Sequence, residues 1–290
     1  MIFVAAGTKD GRELAGFLLE HGHEVTASVV SKYGQQLLEA DLRQGIAIND
    51  RPLDAEGLEA YLREHGAGVV VDASHPYAAN VSRNAMEACH ALGIPYLRYE
   101  RASTPIAYGN VFSVPGYEEA AKRASELGRT VFLTTGSRNL KVFKESPYLR
   151  DCRLVARVLP SPEVLGELVA MGFTPRDIVA MQGPFSEKLN EELFRQYGAE
   201  VIVTKNGGRV GGADTKFAAA EALGLPVVLI ERPGMNYDHV AGTFEEVLAF
   251  VEACRKSMEE QSQKTRKNAE VFTPSWICNK MNNNCDGRVS

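Results

Sequence analysis

The feature that most constrains this chain is its rhythm, in which short, β-branched apolar runs alternate with amphipathic stretches of helical period. In the first third the runs are 2–6, 24–30, 45–48, 68–73 and 95–98. The stretches between them, 10–21, 34–43, 55–65 and 79–92, carry Leu and Ala at helical spacing, as in Leu14, Phe17 and Leu18. Gly22, Gly66 and Gly93 stand just past three of these helices, where a left-handed residue ends the spiral. The rhythm resumes with strands at 111–114, 130–135, 152–158, 177–182, 200–204 and 226–231. Helices are expected at 117–127, 138–145, 162–170, 186–197 and 213–223, with a last one at 243–254 after Pro233-Gly234. Alternation of this kind predicts parallel sheets covered by helices on both faces. Eleven strands fit two sheets, with a crossover near 99–110, better than one wide sheet. The expectation is an α/β protein of two doubly wound domains with a cleft between them. The first covers 1–100, the second 101–254, and 255–290 form a poorly ordered polar extension.

Composition narrows the class. The chain of 290 residues has 32 basic and 37 acidic side chains, a net charge of −5, with 44% apolar residues. Such a balance excludes disordered, collagen-like and coiled-coil classes and argues against general nucleic-acid binding. No apolar run approaches the roughly 18 residues that a membrane span requires. MIFVAAGTKD lacks a basic leader region and reads as a buried strand. The five cysteines (Cys89, Cys152, Cys254, Cys278, Cys285) are odd in number and form no CxxC pair. A cytoplasmic protein without a metal site or disulfide framework is the expectation. Residues 255–290 carry seven basic and four acidic residues, net +3, which leaves −8 on the rest. Their EVFTPSW segment weakly resembles the opening of some adenine-specific DNA methylases, but no catalytic methylase motif accompanies it.

The polar motifs fall where strands end, the edge at which open α/β sheets bind ligands. Ala6-Gly7-Thr8-Lys9-Asp10-Gly11-Arg12 joins the first strand to a helix, a geometry that offers backbone N–H groups and a helix dipole to a phosphate. Gly7 allows a tight turn there, and Gly11 a close approach of backbone or ligand. The second strand ends in Ser31-Lys32-Tyr33-Gly34, where an NAD site usually carries an acidic residue. Ser and Lys suit a 2′-phosphate, so NADPH is preferred and NADH stays open; Lys32 as a solvated loop charge is the alternative. Asp72-Ala73-Ser74-His75-Pro76-Tyr77-Ala78 ends the fourth strand, with His75 either a catalytic or ligand-binding group or a structural one. In the second half, Thr134-Thr135-Gly136-Ser137-Arg138 repeats the strand–turn–helix junction. Met181-Gln182-Gly183-Pro184-Phe185-Ser186 repeats it again with Ser186 as helix N-cap. Thr204-Lys205-Asn206-Gly207-Gly208-Arg209, leading to Lys216, is a cationic, backbone-rich loop without the order of an ATP-hydrolysing phosphate loop. Arg83, Arg98, Arg101, Arg138, Lys141, Lys205, Arg209 and Lys216 would line one cleft, whose natural guest is a polyanionic small molecule.

Taken in order, GTKDGREL, SVVSKYG, DASHPYA with SRNA, TTGS, MQGPFS and VTKNGG resemble the precorrin-6A reductase family over residues 1 to about 254. The resemblance implies two Rossmann-like domains, a nicotinamide cofactor held by the first and a polycarboxylate tetrapyrrole held by the second. It also implies reduction of one ring C=C bond, C18=C19, in cobalamin biosynthesis. By position, Gly7, Thr8, Gly11, Arg12, Ser28, Ser31, Tyr33 and His75 are implied to bind cofactor, with Lys32 added by the charge argument. Thr135, Gly136, Ser137, Lys205, Gly207 and Gly208 are implied to face the tetrapyrrole, joined by Arg138 and Lys216 from the basic cleft. The family commonly has Asp and Ser where this chain has Asn206 and Gly207. The proton is expected from Lys205, His75 or water. Two other readings stay open: a non-catalytic tetrapyrrole- or dinucleotide-binding protein, and a two-domain nucleotide-sugar transferase.

Overall fold

The computed structural model describes residues 1–29, 46–101, 106–206 and 213–271. The expected helix at 34–43 and the site candidates Ser31, Lys32, Tyr33, Gly207 and Gly208 lie outside the described residues. The first unit runs β1 (Ile2–Ala5), α1 (Lys9–Glu20), β2 (Val25–Ser28), β3 (Ala47–Asn49), α2 (Ala55–Glu64), β4 (Val69–Asp72), α3 (Ala79–Leu92) and β5 (Tyr96–Tyr99). The second runs β6 (Val111–Val114), α4 (Tyr117–Leu127), β7 (Thr130–Leu133), α5 (Leu140–Glu145), β8 (Arg153–Val158), α6 (Pro162–Ala170) and β9 (Ile178–Ala180). It continues with α7 (Glu187–Gln196), β10 (Val201–Lys205), α8 (Ala213–Ala222) and β11 (Val227–Ile230). A two-residue strand β12 (Val240–Ala241) and a long helix α9 (Phe244–Val271) follow.

Two six-stranded parallel sheets result, ordered β12-β5-β4-β1-β2-β3 and β6-β11-β10-β7-β8-β9. In each, a 3-2-1-4-5 order reverses once, between β1 and β4 and between β7 and β10. The loops leaving those neighbouring strands therefore diverge and open a crevice. Both faces of each sheet are apolar. Val4, Leu14 and Val71 pack one face of the first sheet, and Phe3, Leu58, Leu62 and Val70 the other. Val131, Val201 and Val203 lie opposite Phe132, Val155 and Ile202 in the second. Doubly buried strands read as unbroken β-branched runs, which is why the rhythm was visible in the sequence. Gly22, Gly66 and Gly93 take positive φ of 79°, 63° and 65°, as expected.

The structure corrects the expected domain limits. β12 pairs with β5, Val240 opposite Arg98 and Ala241 opposite Tyr99, and Val247 and Val251 of α9 are buried against the first sheet's core. The chain therefore returns to its first unit, and residues 240–254 do not belong with the second. Burial drives the return, since each of these valines removes about 1.5–3 kcal/mol of apolar surface from water. The polar extension is also not irregular from 255 onward, because α9 continues to Val271. Among the described residues no helix is long and apolar enough to cross a membrane.

Candidate active site

The first half of the site is the turn after β1. Thr8 caps α1 in extended conformation: its Oγ1 accepts from the Gly11 N–H and donates to the Ala73 carbonyl, both at 2.9 Å. One side chain thus ties the loops after β1 and β4 together across the switch point. Gly11 serves packing, since a Cβ there would stand 2.9 Å from Ala6 Cα and 3.1 Å from the Ala73 oxygen. Gly7 is the opposite case, for a Cβ there meets nothing within 4 Å. Arg12 is buried in the α1 packing, and Ser28 Oγ accepts from Asn49 Nδ2 at 3.0 Å at the end of β2.

Beneath the loop after β4 lies a closed ion pair. Arg98 Nη1 is 2.9 Å from Asp72 Oδ1, both side chains shut from solvent. Asp72 also accepts from the Ser74 N–H, Ser82 Oγ and Tyr96 OH. Arg98 also donates to the Ser74 carbonyl and to Glu100. Burial would raise the Asp72 pKa, but Arg98 and the hydrogen bonds from Ser74 and Ser82 bring it below the ordinary carboxylate value. The pair fixes the turn that carries His75. The His75 Nδ1 accepts from the Tyr77 N–H at 3.2 Å, so the neutral ring carries its proton on Nε2. Part of the ring is exposed, yet the protein packed around it, then Lys205, Arg98, Arg138 and Arg232, hold its pKa down to about 4.

Tyr77 reaches into the second unit, where its OH donates to the Ile230 carbonyl at 2.6 Å and accepts from the Asn206 N–H at 3.1 Å. Its ring packs on the second core, and Lys205 Nζ lies 5.0 Å from the ring centroid. Arg232, after β11, completes the join by pairing with Glu100 at 2.5 Å and donating to the Asn206 carbonyl at 3.3 Å.

The second half gathers at the ends of β7, β8 and β10. Thr135 is 4% exposed and its Oγ1 has no hydrogen-bond partner among the described residues; Gly136 follows at φ 79°. Lys205 closes β10, and burial followed by Arg138 holds its pKa down to about 8. Arg157 and Lys216 are 7% and 9% exposed. Among the described residues, no carboxylate forms an ion pair with Arg138, Arg157, Lys205 or Lys216.

Of the cleft cations expected from sequence, then, Arg138, Lys205 and Lys216 come together and others are already engaged. Arg98 belongs to Asp72 and Glu100, Arg101 to Asp10 at 2.8 Å, and the exposed Lys141 to Glu145 on its own helix. Arg83 bonds Asn80, and Arg209 lies outside the described residues. Ser186 is an N-cap as expected, accepting from the Leu189 N–H at 3.2 Å. Arg157, Glu100 and Arg232 carried no motif and were missed. Tyr77 was inside a quoted motif, but its reach across the molecule was not legible. A pocket of about 510 Å³ opens elsewhere, at the N-terminal edge of the first sheet between His23, Val69 and Met258, and includes none of these site residues.

Comparison with known proteins supplies the family. The family model described as precorrin-6x reductase CbiJ/CobK matches residues 1–252. A cobalt-precorrin-6A reductase of Priestia megaterium is 42% identical over 249 residues, 86% of this chain and 96% of its own. A precorrin-6A reductase of Rhodobacter capsulatus is 31% identical over 252 residues, 86% of this chain and 95% of its own. The solved structure of a CobK precorrin-6A reductase superposes with a TM-score of 0.71 at 29% identity, covering 87% of this chain and 96% of that one. A match that runs through both sheets and both halves of the crevice places this chain in the precorrin-6x reductase CbiJ/CobK family, an oxidoreductase acting on a CH–CH group.

Proposed function

We propose that the protein uses NADPH to reduce one ring C=C bond, C18=C19, of cobalt-precorrin-6A, giving the dihydro product in cobalamin biosynthesis. The observation that carries the reading is the pair Arg138 and Lys205, whose charges act on His75 and which form no ion pair with a carboxylate among the described residues. Their charge suits a ring of acetate and propionate arms, and with no carboxylate paired to them among the described residues that role stays open. The cobalt-loaded ring is favoured over the metal-free one because the relative at 42% identity acts on it, against 31% for the metal-free type.

The first unit fits a dinucleotide. The open space at Gly7 and the capped start of α1 leave room for a phosphate beside the first-turn N–H groups, and Arg101 meets the charge of Asp10 nearby. Preference for the 2′-phosphate rests on the sequence at Ser31 and Lys32. When bound, the cofactor supplies a hydride.

The chain's own work is orientation and proton supply. Thr8, Gly7 and Ser28 hold the first guest, while Arg138, Lys205 and the Thr135-Gly136-Ser137 turn hold the second. Catalysis then follows chiefly from placing two bound molecules face to face. Below a pH of about 8 Lys205 is charged and able to donate a proton. With a pKa of about 4, only on the order of one His75 ring in a thousand is charged at pH 7. Neutral at that pH, His75 offers its Nε2–H as a hydrogen-bond donor. An anaerobic assay pairing cobalt-loaded and metal-free precorrin-6A with NADPH and NADH tests the reading. We expect nicotinamide oxidation matched by a two-hydrogen mass gain, fastest with NADPH and the cobalt ring. Binding of both rings without turnover would sink it in favour of a carrier protein.

A further inference from the structure

Arg157 and Lys216 are buried cations that the orienting roles above do not use. Arg157 stands near the end of β8. Its Nη1 donates to Asn190 Oδ1 at 2.7 Å, and its guanidinium lies 4.1 Å from the Phe185 ring centroid. Asn190 Nδ2 in turn donates to the Ser186 carbonyl at 3.0 Å and to Thr215 Oγ1 at 3.3 Å, and Thr215 Oγ1 donates to the Phe185 carbonyl at 3.0 Å. This lattice holds the arginine and the first turn of α8, which carries Lys216, in one fixed wall. Leu133 pairs with Ala156, so the turn with the unpartnered Thr135 hydroxyl leaves the sheet beside Arg157. Val203 pairs with Leu133 from the other side, which brings Lys205 to the same edge.

Among the described residues neither cation has a carboxylate partner, and two like charges held dry in that way are destabilising unless something pairs them. Burial holds Arg157 down to about 10, and burial with Arg157 and Lys205 holds Lys216 down to about 7; Asp214 opposes this only weakly. The guanidinium has five N–H donors, and Asn190 takes one of them. One anion with two oxygens would answer both cations.

We infer that Arg157, Lys216 and Thr135 form a dry subsite for a single carboxylate arm of the ring, which must enter as the free anion. The inference rests on the tetrapyrrole reading but is testable without turnover. Cofactor-free protein is titrated with a cobalt corrin bearing free acetate and propionate arms, and with the same ring carrying methyl esters, at pH 6.5. The acid is expected to bind at least about tenfold more tightly than the ester. In Lys216→Met that preference shrinks about tenfold, affinity for the ester holds, and the ligand-free Tm stays level or rises because an unpaired charge has gone. Arg157→Lys keeps the charge and most of the preference. Equal affinity of the unaltered protein for acid and ester overturns the inference, as does a Lys216→Met protein with lowered Tm and unchanged preference. Absence of reductase activity alongside an intact acid preference would count against the proposed reaction and leave the subsite standing.

Discussion

Asp72 and Arg98 show how a charge at a strand end can be mistaken for a ligand group. Both are shut from solvent 2.9 Å apart, and the arginine's other donors go to Ser74 and Glu100. Replacing Asp72 by Asn removes the closer of the two carboxylates from the buried Arg98 and leaves Glu100 as its one counterion among the described residues, so urea denaturation should show a loss of about 3 kcal/mol. Lys216 is the converse. Its folded pKa is lowered to about 7 by burial and by Arg157 and Lys205, with Asp214 opposing, whereas the unfolded chain keeps an ordinary lysine. Between about pH 7 and 10 the unfolded state binds the extra proton, so ligand-free stability rises with pH through that window. Lys216→Met should lessen the slope of Tm against pH there. Sequence gave Arg98 and Lys216 the same standing, as cations near strand ends. Only the carboxylate partner separates them, present for Arg98 and absent for Lys216 among the described residues, and partners 26 residues apart leave no periodic trace.

At the scale of elements, the glycine turn into α1 was legible because its chemistry is local: an apolar strand, a small turn residue, a capping Thr and a helix start within a few positions. The distinction between its two glycines was not local. Gly11 lies against the backbone of Ala6 and of Ala73, a residue from a different strand. Gly11→Ala should therefore cost about 1–3 kcal/mol as α1 is pushed from the sheet. It should also weaken binding of NADPH, followed by fluorescence titration, more than binding of the ring. Gly7→Ala has no protein atom to strike, so a loss of NADPH affinity at unchanged Tm is expected there. β12 escaped the sequence reading for a plain reason: two residues, one of them exposed, carry no period. Its pairing with β5 is specified by α9, whose Val247 and Val251 seek the first core.

For the whole molecule, each sheet takes its sixth strand, β6 or β12, from the segment that follows the other unit, so the chain crosses between units twice. Those crossings bring the crevice's two walls together, and a few polar contacts set their spacing. Glu100 follows β5, and Arg232 follows β11; their bond joins the buried Asp72–Arg98 pair to the Asn206 carbonyl and so to the loop after Lys205. Tyr77 makes the second fastening at Ile230 and Asn206. Arg232 and Glu100 are half-buried and join the walls through polar contacts, so their loss should leave each unit folded. Arg232→Met is expected to keep the far-ultraviolet circular dichroism of the parent while enlarging the radius of gyration measured by solution scattering. Because ångström-scale misplacement of bound partners slows their reaction sharply, kcat/KM should fall on the order of tenfold to a hundredfold. The separate affinities for NADPH and for the ring should change far less, since each wall is built within its own unit. A loss of affinity for the ring equal to the loss in kcat/KM would instead make Arg232 a substrate ligand and leave Tyr77 alone to set the distance between the walls.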